Sequence, residues 1–262
     1  MTIYINEMRR AFKSLCIWIC SVAFMVVICI FMFPEMENEM DSVSAVFANM
    51  GGFTKAFGMD KLSFGELMGF YGIECGNILG IGGGFFAALA GISALSCEER
   101  EHTAEFLLTH PVSRVSVTAQ KLLSVITQVI VLNIVTAAAS VISAEIIGEH
   151  ILNREFALMH IAYLIMQLEI ACICFGISAF LRRGGIGLGL GLALALYFMN
   201  IVCNISEKAE FLKYVTPYAY SDSGRIISES QLDALPIILG AVYSVIFIIT
   251  AFVKYGRKDI AA

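Results

Sequence analysis

Long uncharged, apolar stretches alternate with short charged segments along the whole chain. Six stretches of 20 to 26 residues lie between charged positions, and Glu169 is the one charge inside them. An α-helix of about 20 residues crosses the roughly 30 Å hydrocarbon core of a bilayer, whereas barrel strands alternate over about 10 residues. The pattern therefore predicts an all-α membrane protein. Its six transmembrane helices are expected at about 14–34, 69–97, 119–145, 156–181, 184–206 and 234–254.

Composition supports a lipid environment over a soluble fold. Apolar residues make up 58% of the 262 residues and charged residues 15%, against about 25% charged in typical soluble domains. A soluble globule of this size cannot bury so much apolar surface. The net charge of −5 leaves no broad basic face for phosphates, so we expect a lipid bilayer and no nucleic-acid partner. We expect residues 1–262 to form a single six-span domain.

The distribution of Lys and Arg predicts the orientation. With the N-terminus in the cytoplasm, the cytoplasmic segments have about three times the density of basic residues found in the opposite segments. Short cytoplasmic loops carry this excess. Both termini are therefore expected to be cytoplasmic, in a multi-pass arrangement.

The first 14 residues have an amphipathic pattern. Tyr4, Met8 and Phe12 recur at spacings of four, and polar residues such as Arg9 and Arg10 fill the opposite side. This pattern predicts an amphipathic helix in the cytoplasmic interface. A charged flank of the first span is the alternative.

Small residues recur every four positions in two predicted spans, which places them on one helix face. The second span carries such a stripe from Gly72 to Ala88, and the fifth span carries two, one through Gly187 and one through Gly185 and Gly189. Small faces allow helices to approach closely in lipid. A phosphate-binding loop is not supported, because no strand precedes these glycines and no Gly-Lys-Ser or Gly-Lys-Thr occurs. We expect helix packing at Gly76, Gly80, Gly84, Gly187 and Gly191.

Few polar residues interrupt the spans. Glu169 lies at the centre of the fourth span with Gln167 nearby, and Asn133 lies at the same depth in the third. A carboxylate at this depth costs a few kcal/mol, so it should face the protein interior. We predict Asn133 as its partner. Glu169 is then a structural hydrogen-bonding group, part of a polar substrate path, or a proton or cation site.

The eight cysteines lie in or at the ends of the spans, where they act as small apolar residues. Neither a disulfide framework nor a metal-ligand set is indicated, and we expect no metal site. Catalysis in the membrane needs paired acids, a Ser–His pair or a metal. His160 has no second catalytic group at its depth in the sequence, so we expect no catalytic residue and rank an intramembrane enzyme last.

The segment between the second and third spans carries an apolar patch in a predicted cytoplasmic loop. Residues 98–109 favour a helix, and Pro111 ends it. Phe106, Leu107 and Leu108 form three consecutive apolar positions. They either dock onto a partner or fold back onto the spans or the lipid interface.

This segment resembles the signature of type-2 ABC transporter permeases, the integral-membrane subunits of a class of bacterial ABC exporters. An acidic pair ends the second span, a Thr-x-Glu-x-Leu-Leu stretch and a Pro-Val-Ser-Arg turn follow, and a Lys opens the third span. His102 stands where many members have Gly. The strong match covers about thirty residues, and the rest, including Thr216-Pro217-Tyr218, is architectural. The matching positions are Glu98, Glu99, Thr103, Glu105, Leu107, Leu108, Pro111 to Arg114 and Lys121.

The resemblance implies a coupling helix that sits in a cleft of a separate cytoplasmic ABC ATPase subunit. Phe106, Leu107 and Leu108 would be the buried contact, and Glu105 and Arg114 its polar rim. ATP would bind the partner and no cofactor would bind this chain, which lacks an ATP-binding loop. A second permease subunit, in a homodimer or heterodimer, and a bacterial cell membrane are also implied.

The mostly apolar spans suggest an amphipathic or hydrophobic substrate. An ion-coupled secondary transporter using Glu169 is the alternative function, although such proteins usually show internal repeats.

Overall fold

The computed structural model describes residues 2–38, 52–56, 62, 65–97, 113–182 and 184–258. Regular structure in these ranges is helical. Six helices are long and apolar enough to cross a membrane, which confirms the prediction of an all-α, six-span fold. In chain order the helices are α1 (Thr2–Asn38), α2 (Gly52–Ala56), α3 (Leu67–Ser93), α4 (Arg114–Ile146), α5 (Arg154–Ser178), α6 (Ile186–Ile205), a 3-10 helix (Glu207–Tyr214), α7 (Ser223–Glu229) and α8 (Ala234–Arg257).

Side-chain caps mark where three helices begin. Ser113 accepts a hydrogen bond from the Ser116 amide at the start of α4. Asn153 accepts one from Phe156 at the start of α5, and Asp222 accepts one from Arg225 at the start of α7. These bonds satisfy amides that lack a partner within the helix.

The bundle has two ends, which are linked by different contacts. At one end, called the terminal end, α3 finishes, α4 begins and α8 finishes; Lys121 of α4 bonds to Ala94, and Arg114 bonds to Lys258. At the other, called the far end, α5 begins and α6 finishes; Ser230 bonds to Glu155, and Asn204 bonds to Asp222.

Helices α3 and α5 form the centre of the bundle. In their most apolar stretches 61% and 67% of the residues are buried, against 17% in α8. The two helices approach closely, because a Cβ at Gly91 of α3 would clash with the backbone oxygen of Ala171 in α5. The other long helices pack around this pair.

The predicted interfacial helix is not a separate element in the structure. Residues 2–14 continue without a break into the first span, so that α1 has 37 residues and a length of about 55 Å. Its first turns lie against the start of α4: the Tyr4 amide donates to Gln120 (3.2 Å), and the Tyr4 hydroxyl donates to Thr127 (3.2 Å). Residues 2–14 thus form the first turns of α1, and their place in the cytoplasmic interface stays a prediction beside the alternative of a charged flank of the first span.

Candidate functional site

The segment predicted to contact an ATPase lies mostly outside the described residues. The flanking residues Cys97 and Ser113 are described, and both lie at the terminal end. Arg114 is also described. The docking role of the remainder stays a prediction. Its residues outside the described ranges are Glu98, Glu99, Thr103, Glu105, Phe106, Leu107, Leu108 and Pro111.

Arg114 is the first residue of α4, and its side chain contacts the C-terminal end of α8. Its Nη1 donates to the carbonyl oxygens of Lys258 (2.6 Å), Gly256 (3.3 Å) and Tyr255 (3.4 Å). The last carbonyls of a helix lack intrahelical partners and carry partial negative charge, so a guanidinium stabilises them. In turn, the Lys258 ammonium donates to the backbone carbonyl oxygen of Leu181, just after the end of α5 (2.6 Å). The residue predicted as a rim of the docking patch thus joins α4 to α8.

Lys121 forms a second junction, deeper in the bundle. It is 1% exposed, and its Nζ donates to Glu7 Oε1 (3.0 Å) and to the Ala94 carbonyl oxygen (2.8 Å). Cys97 Sγ lies 3.6 Å from the same nitrogen. An ammonium buried this far is tolerated because a carboxylate and a carbonyl replace its water. Lys121 therefore ties the start of α4 to α1 and to the end of α3.

A cavity of about 330 Å³ lies beside this junction, within the size range of small-molecule sites. At the terminal end it is lined by charged residues, among them Glu7 and Arg10. Deeper in the bundle its walls are mainly apolar, with Phe86, Leu89 and Val125, although Ser124 and Gln128 add polar groups there. The cavity is therefore amphipathic along its depth.

Two buried amides join three helices in the middle of the bundle. Asn133 Nδ2 of α4 donates to Gln167 Oε1 of α5 (2.7 Å), and Gln167 Nε2 donates to the Leu79 carbonyl oxygen of α3 (3.3 Å). Both side chains are buried. In lipid, such bonds satisfy polar groups that have no water partner.

Glu169 has a different partner from the one predicted. Its Oε2 accepts a hydrogen bond from the Tyr220 hydroxyl (2.8 Å), and its carboxylate lies against Gly240 of α8. The predicted pairing with Asn133 is therefore wrong. Gln167 and Glu169 are two residues apart, about 200° around a helix, so Gln167 faces α4 while Glu169 faces away from it.

Residues 216–223 enter the bundle near the far end. Thr216 Oγ1 donates to the Leu196 carbonyl oxygen of α6 (2.7 Å), and Ser223 Oγ donates to the Gly72 carbonyl oxygen of α3. Tyr218 and Tyr220 are both buried. The sequence pattern leaves the form of this segment open. The structure has a buried turn that leads into the short helix α7.

The glycine faces of α3 and α6 differ in what they contact. In α3, a Cβ at Gly76 would crowd Ser223 and Tyr163, one at Gly80 would touch the Tyr163 ring, and one at Gly84 would clash with the Tyr218 hydroxyl. These three glycines thus face α5 and the buried turn.

In α6, Gly187 and Gly191 face open space, because no described atom lies within 4 Å of the position that a Cβ would occupy on either residue. The packing predicted for these two glycines is therefore absent from the described contacts. The other face of α6 is the packed one, because a Cβ at Gly189 would crowd Ile92 and the Ala88 carbonyl oxygen of α3.

His160 has neighbours that the sequence did not suggest. The Tyr71 hydroxyl lies 2.9 Å from His160 Nε2 and 2.8 Å from Ser140 Oγ, and Ser140 Oγ donates to the Thr136 carbonyl oxygen (2.9 Å). Because Ser140 donates to a carbonyl, its oxygen can accept from Tyr71, and the Tyr71 hydroxyl can accept from His160 in the tautomer with the proton on Nε2; His160 Nδ1 is buried without a partner among the described residues. We expected no second catalytic group at the depth of His160; Tyr71 and Ser140 lie beside it there, and the three side chains link α3, α4 and α5.

A comparison with known protein families identifies the family to which the chain belongs. The family described as ABC-2 family transporter protein matches residues 1–260, almost the whole sequence. The chain belongs to this family. A search of curated proteins finds no match.

Membership in the ABC-2 family confirms the resemblance to type-2 ABC permeases. Together with six helices able to span a membrane, it makes the protein a multi-pass membrane transport subunit. Membrane proteins of this family work in ABC transporter assemblies that include an ATPase partner. Sequence reasoning missed three features of this ABC-2 permease: the Lys121 junction, the pairing of Glu169 with Tyr220, and the contacts of His160 with Tyr71 and Ser140. The sequence signal for the Lys121 junction is a lysine close to the long apolar stretch of α4.

Proposed function

We propose that this ABC-2 permease is the membrane subunit of an ATP-driven exporter, in which a separate cytoplasmic ATPase moves residues 98–114. The family match supports the transport class. The excess of Lys and Arg at the terminal end supports a cytoplasmic position for these residues and for both termini. ATP binds the ATPase, and export is the direction that the resemblance implies.

The observation that carries this proposal is the attachment of α4 to its neighbours. Arg114, close after the predicted contact segment, bonds to the end of α8. About two helical turns further on, Lys121 bonds to Glu7 of α1 and to Ala94 after α3. A movement of residues 98–112 by the ATPase would therefore be transmitted to α1, α3, α4 and α8 together.

The proposed transporter contains two permease subunits, identical or homologous, as the type-2 resemblance implies. In a bacterial cell membrane, each would contribute six spans and one ATPase contact.

The proposed substrate is amphipathic or hydrophobic. The cavity near Lys121 supports this class, because it combines charged residues at the terminal end with mainly apolar walls deeper in the bundle. A molecule with a polar head and an apolar body would match both regions.

The test is Leu107→Asp in the permease, co-purified with its ATPase from the native membrane and placed in lipid nanodiscs. A buried carboxylate in an apolar contact is strongly unfavourable, so permease-stimulated ATP hydrolysis should fall by at least tenfold while membrane insertion is retained. Leu152→Asp is the matched control, since Leu152 is 73% exposed at the far end and its replacement should leave hydrolysis unchanged.

Full ATP hydrolysis in Leu107→Asp would reject the coupling role. Substrate movement in proteoliposomes that hold the permease alone, driven by a proton or sodium gradient, would instead support the ion-coupled alternative.

A further inference from the structure

A small polar cavity of about 40 Å³ lies between α3, α5, α6 and the buried turn, towards the far end. It has room for about three or four atoms of the size of water, by the usual volume of about 10–15 Å³ each. Oxygen-bearing side chains dominate its walls, which is unusual in a bundle whose spans are mainly apolar. The lining side chains that matter below are Asn77, Tyr197, Asn200, Asn204, Asp222 and Ser223.

Most hydrogen-bond donors in these walls are already used by the protein. Asn77 Nδ2 donates to Ile73 (2.7 Å), and the Tyr197 hydroxyl donates to Asn77 Oδ1 (3.2 Å). Asn204 Nδ2 donates to Asp222 Oδ2 (3.0 Å), and Ser223 Oγ donates to the Gly72 carbonyl oxygen.

Acceptor capacity, in contrast, is left over. The Asn200 carbonyl oxygen Oδ1 is buried and has no hydrogen-bond partner in the part of the chain that the structure describes, and the residue is 8% exposed. Leaving such a group without a partner is unfavourable. The Tyr218 hydroxyl, on another lining residue, is also buried without a partner among the described residues, so its lone pairs and its O–H are both unused there.

The cavity also has a negative charge. Asp222 is the acidic residue in its lining, and the described lining contains no Lys, Arg or His. Asp222 accepts from the Arg225 backbone amide and from Asn204. The Arg225 guanidinium donates to Asp233 (3.1 Å) and also lies close enough to Asp222 to offset part of its charge. A carboxylate oxygen can accept more than one bond, so Asp222 retains capacity for a ligand.

We propose that this cavity binds one alkali-metal cation through the Asn200 amide oxygen, the Asp222 carboxylate and neighbouring hydroxyl oxygens. Asn200 Oδ1 and the Asp222 carboxylate act only as acceptors, and a cation is held by acceptors alone, whereas a water molecule would also accept the Tyr218 O–H. Hard cations take oxygen ligands. A single carboxylate and a volume this small favour a monovalent ion over Ca²⁺ or hydrated Mg²⁺. Bound there, the ion would hold the buried turn against α3 and α6.

The experiment measures thermal unfolding of the purified full-length protein in nanodiscs, in chloride salts of Li⁺, Na⁺, K⁺ and Rb⁺ at equal ionic strength. N-methyl-D-glucamine, too large for the cavity, is the reference cation. We expect a saturable rise in the melting temperature with at least one alkali cation, and retention of about one radioactive ²²Na⁺ or ⁸⁶Rb⁺ per chain.

Three variants make the test specific. Asp222→Asn keeps a helix-capping side chain and should weaken binding of the ion at least tenfold, as should Asn200→Leu. Glu229→Gln removes an exposed charge from the same short helix, α7, without touching the cavity lining, and should leave binding unchanged.

Equal melting temperatures in all salts, with no retained isotope on the unaltered protein, would overturn the proposal and leave only water in the cavity. Ion-specific stabilisation that persists in both cavity variants would overturn it as well. Because isotope retention is measured on the unaltered protein, the test stands even if a variant fails to fold.

Discussion

At the scale of single residues, the buried polar groups distinguish this bundle from a set of apolar helices. Lys121 shows the principle, since its ammonium is 1% exposed and has a carboxylate and a carbonyl in place of water. Removing one member of a buried ion pair leaves the other uncompensated, which costs about 3–5 kcal/mol. We therefore expect Lys121→Met to lower the free energy of unfolding by about that amount, measured by denaturant titration in mixed micelles.

The matched control for Lys121 is a surface pair. Lys213 bonds to Glu210, whose side chain is 63% exposed, and exposed pairs of this kind contribute little. Lys213→Met should leave unfolding unchanged. If both substitutions changed the free energy of unfolding equally, burial of Lys121 would contribute nothing to stability.

The Tyr220 hydroxyl gives a second residue-scale prediction. It donates to Glu169 within the bundle, and hydrogen bonds between membrane segments contribute about 1 kcal/mol. Tyr220→Phe should destabilise the protein by about this much in the same titration. Tyr243→Phe removes an exposed hydrogen bond to the Tyr214 carbonyl oxygen and should have a smaller effect; the reverse order would contradict the assignment.

Sequence pattern located the buried polar residues but not all of their partners. Depth along the span places Asn133 and Gln167 at one level, and the two do form a hydrogen bond. Depth alone cannot give the rotation of one helix relative to another. For this reason depth pairs Glu169 with Asn133, whereas the carboxylate bonds to Tyr220 in a segment far away in sequence.

At the scale of helices, close approach depends on which glycine face is packed. Gly91 of α3 faces the backbone of α5, which cannot move aside as a flexible side chain can. We expect Gly91→Ala to destabilise the protein by at least about 1–3 kcal/mol, the usual cost of overpacking, despite the higher helix propensity of Ala. Thermal unfolding of the nanodisc-embedded protein measures the effect.

Gly187→Ala is the corresponding control in α6. No described atom lies within 4 Å of the position that its Cβ would occupy, so the substitution changes only helix propensity. The melting temperature of the Gly187→Ala variant should equal or exceed that of the unaltered protein. A loss as large as that of Gly91→Ala would show that this face is packed after all.

Helix positions followed from the sequence more closely than helix ends. The six charge-free runs correspond to six observed long helices, but α1 and α4 extend well beyond them at the terminal end. Their extensions stabilise each other, for instance through Tyr4 and Gln120. Hydropathy does not predict that residues 216–223 are buried, because the segment contains polar side chains. These side chains can be buried since they donate hydrogen bonds to carbonyl oxygens of α3 and α6.

At the scale of the whole molecule, the terminal end combines the predicted ATPase contact with the junctions between helices. Arg114 is the point where two interpretations differ. As a polar rim of the docking patch, it would contact the ATPase directly. As the residue that bonds to the end of α8, it would transmit movement of the contact segment to the last span.

Arg114→Met separates these two roles. If Arg114 acts as a link to α8, the ATPase should still co-purify with the variant in normal amounts, but permease-stimulated ATP hydrolysis should fall several-fold because movement of α4 no longer reaches α8. If Arg114 acts as a rim, co-purification itself should fall. Arg154→Met, an exposed arginine at the far end, serves as the control for loss of a positive charge. Normal binding and normal hydrolysis in Arg114→Met would exclude both roles, and transmission through Lys121 would then be the remaining route from the contact segment to the bundle.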